Sequence, residues 1–185
     1  LAAWWADQMS IESDVRQWSR EVLEVPNKHL NGLPACPYAK QTWQDNKVLV
    51  VETDYVYAEA MMNCASFGEL NKDVVVVASY EIPDSESFYS FVEALNDTFP
   101  ELHCMEFHPD YGAEDAELDF LTDNDWESEV EQPYCMIFIQ DLEKIVEASD
   151  RLEKLGYYDN YPSDEYDALV RYRRERLVGD DDDPD

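Results

Sequence analysis

Cys36 stands in the stretch Leu33-Pro34-Ala35-Cys36-Pro37-Tyr38-Ala39-Lys40. The flanking prolines stiffen the backbone and remove competing amide donors. A helical turn opened by Pro37 puts Cys36 at the cap, its sulfur facing free amide N–H groups. Lys40 follows four residues later. Both neighbours favour the thiolate, the form that attacks electrophiles or binds metal. The bland reading is a small buried hydrophobe in a proline-stiffened turn.

A second stretch is Phe107-His108-Pro109-Asp110-Tyr111. Strand alternation puts Cys104, Glu106 and His108 on one face, with His103, Met105 and Phe107 on the other. Strand ends are where α/β sites gather, and Asp110 is placed to orient the ring. Here the bland reading is a histidine bonded to a loop carbonyl. Pro133-Tyr134 opens the next strand, and pairing with residues 102 to 107 brings Tyr134 toward His108.

The expected site therefore has Cys36 as nucleophile or metal ligand and His108 as base or second ligand. Lys40 lowers the thiol pKa or holds an anion, and Tyr134 completes the group. His29, seven residues before Cys36, extends it to a metal set of His29, Cys36 and His108. Such soft and borderline ligands suit zinc, iron or copper. No spacing here is diagnostic. Cys64 and Cys135 read as core cysteines.

These segments resemble an uncharacterised bacterial family, domain of unknown function 1415. That family carries Cys-Pro-Phe-Ala-Lys after an N-terminal helix, then Phe-His-Pro-Asp-Tyr, then Arg-Ser-Pro-Tyr-Pro opening a strand. The counterparts are Cys36 to Lys40, Phe107 to Tyr111, and Pro133-Tyr134. The likeness covers residues 11 to 156. It departs at Tyr38 for Phe, at Glu131-Gln132 for Arg-Ser, and at Cys135 for the final Pro. The resemblance implies that the three motifs form one constellation. It implies no activity.

The elements that must position these residues follow from periodicity. Ile11, Val15, Trp18 and Val22 fall at helical spacing, with Ser10 or Asp14 as cap and Pro26 beyond the end. Residues 26 to 45 read as irregular, punctuated by Pro26, Gly32, Pro34 and Pro37. Strands are expected at Lys47 to Val51, Asp73 to Ala78, Leu102 to Phe107 and Tyr134 to Ile139. The β-branched run Asp73 to Ala78 reads as a buried central strand. Helices are expected at Asp54 to Phe67, from Asp84 through Leu95, from Leu142 to Gly156, and from Ser163 to Leu177. The fold class is therefore α/β, a mixed sheet of about four strands covered by helices. Its third and fourth strands are antiparallel neighbours. A single domain over 1–178 with an acidic disordered tail over 179–185 is the expected organisation.

Composition bounds the partners. Acidic residues outnumber basic ones 43 to 13 in 185 residues, for a net charge of -30. No Lys or Arg occurs from Asp73 to Glu143. Such a surface repels nucleic-acid phosphates and anionic membranes. The segment Asp110 to Glu131 carries ten acidic residues, but Asp119, Asp123 and Asp125 lack the glycine and terminal glutamate of a calcium loop. Arg171, Arg173, Arg174 and Arg176 are expected to pair with the acidic body or tail. The four cysteines form no CxxC pair, so free thiols and a cytoplasmic location are expected. The apolar start, Leu1 to Trp5, is short and Asp7 follows it, unlike a secretory segment. No apolar run approaches the roughly 18 residues of a membrane span.

Two functions are compatible with this pattern. One is a small enzyme or redox or metal-binding protein with a Cys36/His108 site acting on a small molecule. The other is an acidic binding or regulatory protein that engages a basic partner, with nucleic-acid mimicry as one form of that engagement.

Overall fold

Ser10 accepts the Ser13 amide on its Oγ at 3.2 Å and starts helix α1, Ile11–Trp18. Its acceptor satisfies an amide that the first turn otherwise leaves open. A wider π-helical turn, Ser19–Leu23, carries the helix on, so Ile11, Val15, Trp18 and Val22 share one buried stripe. The computed structural model describes residues 10–110 and 134–179. The apolar residues 1–9, the acidic excursion from 111 with Pro133, and the acidic tail from 180 lie outside the described residues.

After α1 come α2, Ala39–Gln44, β1, Val48–Glu52, α3, Val56–Ser66, and β2, Val74–Ser79. Then follow α4, Ser85–Thr98, β3, Leu102–Phe107, β4, Cys135–Asp141, and α5, Leu142–Glu153. The chain ends in α6, Ser163–Tyr166, a π-helical turn, Asp167–Arg171, and α7, Tyr172–Val178. Asp84 and Asp141 cap α4 and α5, accepting the amides of Ser87 and Lys144 at 2.9 and 3.0 Å. Residues 26 to 45 are more ordered than the sequence suggests. They hold a 3-10 turn, Lys28–Leu30, and α2, both too short to show an apolar period.

The four strands form one sheet in the order β1-β2-β4-β3. β1 and β2 are parallel, and β4 runs antiparallel to both β2 and β3. The architecture is α/β with a mixed sheet, as the periodicity predicts. Val75, Val76, Val77 and Ala78 are fully buried because β2 is central and covered on both faces. On the first face, Val56, Ala60 and Cys64 of α3 and Phe88, Val92 and Leu95 of α4 pack over Val75, Val77, Cys104, Ile137 and Ile139. On the second face, the α1 stripe packs over Val76, Ala78, Tyr134, Met136 and Phe138. Each such side chain contributes on the order of 1.5–3 kcal/mol when fully buried. Trp18 meets Phe107 and Phe138 edge-on at 5.7 and 6.4 Å. Among the described residues no helix is long and apolar enough to cross a membrane.

Three lysines are bonded at one end of the sheet. Lys72 donates to the Asn46 carbonyl at 2.7 Å, Lys47 to Asn71 Oδ1 at 2.7 Å, and Lys144 to Asp73 at 2.7 Å. Asn46, Asn71 and Asp73 precede β1 and β2, so these lysines sit at the amino ends of the parallel strands.

Candidate functional site

The Cys36 loop is built against the second face of the sheet. Its backbone is held by the Cys36 amide on the Leu23 carbonyl at 2.9 Å. The segment after α5 staples it from outside. Tyr157 donates its hydroxyl to the Ala35 carbonyl at 2.6 Å, and Asn160 Nδ2 donates to the His29 carbonyl at 2.8 Å. Asn31 Nδ2 donates to the Gly156 carbonyl at 2.5 Å. Gly156 has φ +75°, and a Cβ there would lie 2.6 Å from an Asp159 carboxylate oxygen. Only glycine fits that approach without strain.

The Cys36 sulfur does meet the amides of Tyr38 and Ala39, as the turn predicts. Burial outweighs them, however, and the nearby charge is Glu24, which acts in the same direction as burial. The thiol is pushed above its ordinary value and holds its proton. The direction is opposite to the one expected from the turn and Lys40. Lys40 is exposed on α2. Arg151 stacks over the Tyr38 ring at 5.7 Å and donates Nε to its hydroxyl at 3.3 Å.

His108 lies on the first face. Its side chain is fully buried, and its ring packs 5.6 Å from Phe88. Nε2 is 2.8 Å from the Pro83 carbonyl, which can only accept, so Nε2 carries the proton. Nδ1 accepts the Asp110 amide at 3.1 Å. Both ring nitrogens are used in pinning the loop before α4 to the end of β3. The Asp110 carboxylate is 4.0 Å away, so the backbone amide of Asp110 orients the ring rather than its side chain.

Tyr134 does not join His108. The register Phe107↔Met136 sets His108 against Cys135, and Tyr134 points into the second-face core. Tyr134 is 2% exposed and meets Tyr80 edge-on at 5.7 Å. Its hydroxyl has no hydrogen-bond partner, nor has Asp14 Oδ1. Burial, then the Asp14 charge, push the phenol upward.

The expected constellation is therefore not assembled. Cys36, Lys40, His29 and Tyr134 belong to the second-face side, and His108 belongs to the first. His29 sits in the 3-10 turn held by Asn160. Among the described residues no three His, Cys, Asp or Glu side chains gather as a metal site. His29, Cys36 and His108, the set expected to hold zinc or iron, do not meet as one cluster. Cys64 and Cys104 place their sulfurs 3.8 Å apart inside the first-face core, and Cys135 is buried at the other end of that core, its thiol 3.8 Å from the Ser79 and Glu81 carbonyls.

The C-terminal arginines are engaged within the protein. Arg174 bonds Asp150 and Glu153 at 2.8 and 2.7 Å, and Arg171 bonds Asp167 at 2.9 Å. Arg173 donates to His103, and Arg176 to the carbonyls of Asn96 and Leu102.

One surface was not singled out from the sequence. At the carboxyl ends of β1 and β2, Tyr55 is 77% exposed, Tyr80 51% and Ile82 42%. Around them Glu52, Asp54, Glu81, Asp84 and Glu86 are exposed. The available signal was aromatic and apolar residues falling just outside two strands, where turns are ordinarily polar. No family model, no curated protein and no solved structure matches the chain.

Proposed function

We propose that the protein is a binding protein that engages a basic partner at the carboxyl ends of β1 and β2. The observation that carries this reading is the exposure of Tyr55, Tyr80 and Ile82 among Glu52, Asp54, Glu81, Asp84 and Glu86. Carboxylates attract lysine and arginine heads, and tyrosine faces add cation–π contact of about 0.5–1 kcal/mol at exposed sites. Tyrosine also supplies large contact area at low entropic cost, which is why it is enriched in interface hot spots. The net charge of -30 steers cationic partners over a longer range.

The binding reading is preferred to a Cys36/His108 site because His108 packs against Phe88 on the first face while the Cys36 loop hangs from Leu23 on the second. A titration with a lysine–glycine peptide tests the binding reading. Affinity is expected to fall about tenfold, or 1.4 kcal/mol, when Tyr55 and Tyr80 are both replaced by serine. It is expected to fall steeply between low and high salt. Unchanged affinity in the double variant, or equal binding of an uncharged serine–glycine peptide, rejects the proposal.

A further inference from the structure

The sheet has two edges, and they are treated differently. β3 is one edge. The Leu102 amide donates to the Phe99 carbonyl at 3.0 Å, and the Leu102 carbonyl accepts from Arg176 at 2.9 Å. The Cys104 amide donates to Asn96 Oδ1 at 2.8 Å, and its carbonyl accepts Asn96 Nδ2 at 3.0 Å. Along Leu102 and Cys104 the outward hydrogen-bonding groups of β3 are closed by the protein's own side chains and backbone.

β1 is the other edge. In its parallel pairing with β2, the Val74 amide reaches the Lys47 carbonyl and the Thr53 amide reaches the Ala78 carbonyl. The register Val48↔Val74 through Glu52↔Ala78 then turns Lys47, Leu49, Val51 and Thr53 toward β2. Val48, Val50 and Glu52 present their amides and carbonyls outward. Among the described residues nothing bonds to those groups. The strand is Val-Leu-Val-Val-Glu, with no proline and no bulge to blunt it. An apolar, unguarded edge of this kind is a template for another strand.

We infer that β1 is a docking edge for an extended segment of a partner that bears lysine or arginine and adds beside it as a further strand. The occupant follows from charge. A second copy of the same chain would bring another net charge of -30 to the same edge, which repels it. A basic segment instead runs toward Glu52 and Asp54 at the carboxyl end of the strand, where Tyr55 is exposed. The chemistry of the partner rests on the binding proposal above. The open edge does not.

The test is amide exchange on the full chain with a short peptide of alternating lysine and valine. The amides of Val48, Val50 and Glu52 are expected to slow by about tenfold on saturation. They are expected to stay fast with the same peptide N-methylated at alternate amides, which keeps its charge but cannot complete the ladder. Val50→Pro removes one outward donor at a position where edge strands tolerate proline, and it should abolish the slowing in a chain that still shows native circular dichroism. If both peptides bind equally and the three amides do not change, the docking edge is overturned and the basic-partner reading stands. If a glutamate–valine peptide slows them as much as the lysine one, the basic partner is overturned. If no peptide binds, both fall.

Discussion

Arg173 donates its Nε to Nε2 of His103 at 3.1 Å, and the guanidinium of Arg176 lies 3.4 Å from Nδ1 of the same ring. His103 is thus a buried imidazole between two arginines. Burial first, then the Arg173 and Arg176 charges, hold its pKa well below the ordinary 6.5. In the unfolded chain the ring takes up a proton near 6.5, and in the folded protein it does not. Stability from this group is therefore present above about pH 6.5 and is lost as pH falls below it. A urea series from neutral to mildly acidic pH should show the midpoint falling for the native chain, and falling less for His103→Asn. Equal slopes would contradict the placement.

Tyr134→Phe should cost nothing. The hydroxyl is buried without a hydrogen-bond partner, so removing it relieves a desolvation penalty while the ring keeps its contact with Tyr80. Chemical denaturation is expected to show unchanged stability or a gain of up to about 1 kcal/mol. A clear loss would mean that the hydroxyl does bond in solution.

Cys36 should be a sluggish thiol. Its pKa is raised above the ordinary 9.0 by burial, so at pH 8 the folded protein holds less thiolate than the unfolded chain. Iodoacetamide labelling, read by peptide mapping, should be slower at Cys36 in the native chain than in urea, since reactivity follows the thiolate. The sign for stability follows too. A group whose folded pKa is raised stabilises below its unfolded value and loses that contribution as pH climbs past 9. Rapid native labelling near pH 7 would restore the nucleophile.

Asn96→Ala should open the β3 edge. The substitution leaves the amide and carbonyl of Cys104 without their partners and takes an acceptor from Arg176. The expected cost is about 1–3 kcal/mol, measured as a shift in urea midpoint. Exchange should quicken at the Cys104 amide.

The strands were legible because β-branched and apolar runs report their own burial. Val74 to Val77 could be placed at the sheet centre without a structure. Alternation also separated His108 from His103 correctly. Periodicity cannot say which helix covers which face, and that decided the site. His108 went under α4 and Cys36 went beside the α1 continuation, so residues grouped by chemical type were divided by the sheet itself. The loop motif was legible as proline-stiffened but not as a packing joint, because its partners Gly156, Tyr157 and Asn160 lie more than a hundred residues away. The bland reading of His108 matched its carbonyl contact, and Arg171 and Arg174 pair with carboxylates as expected, whereas Arg173 and Arg176 turn to His103 and backbone carbonyls instead.

The position of β4 between β2 and β3 carries a consequence for biosynthesis. β4 is the last strand of the described chain to be made, yet it supplies the neighbour of both. On a ribosome, β2 can pair with β1 early, but its valine run has one bare side until residues beyond Cys135 emerge. β3 waits for the same strand. The nascent chain therefore carries a half-built sheet through most of its synthesis, and the dense negative charge of the translated part keeps neighbouring chains apart during that interval.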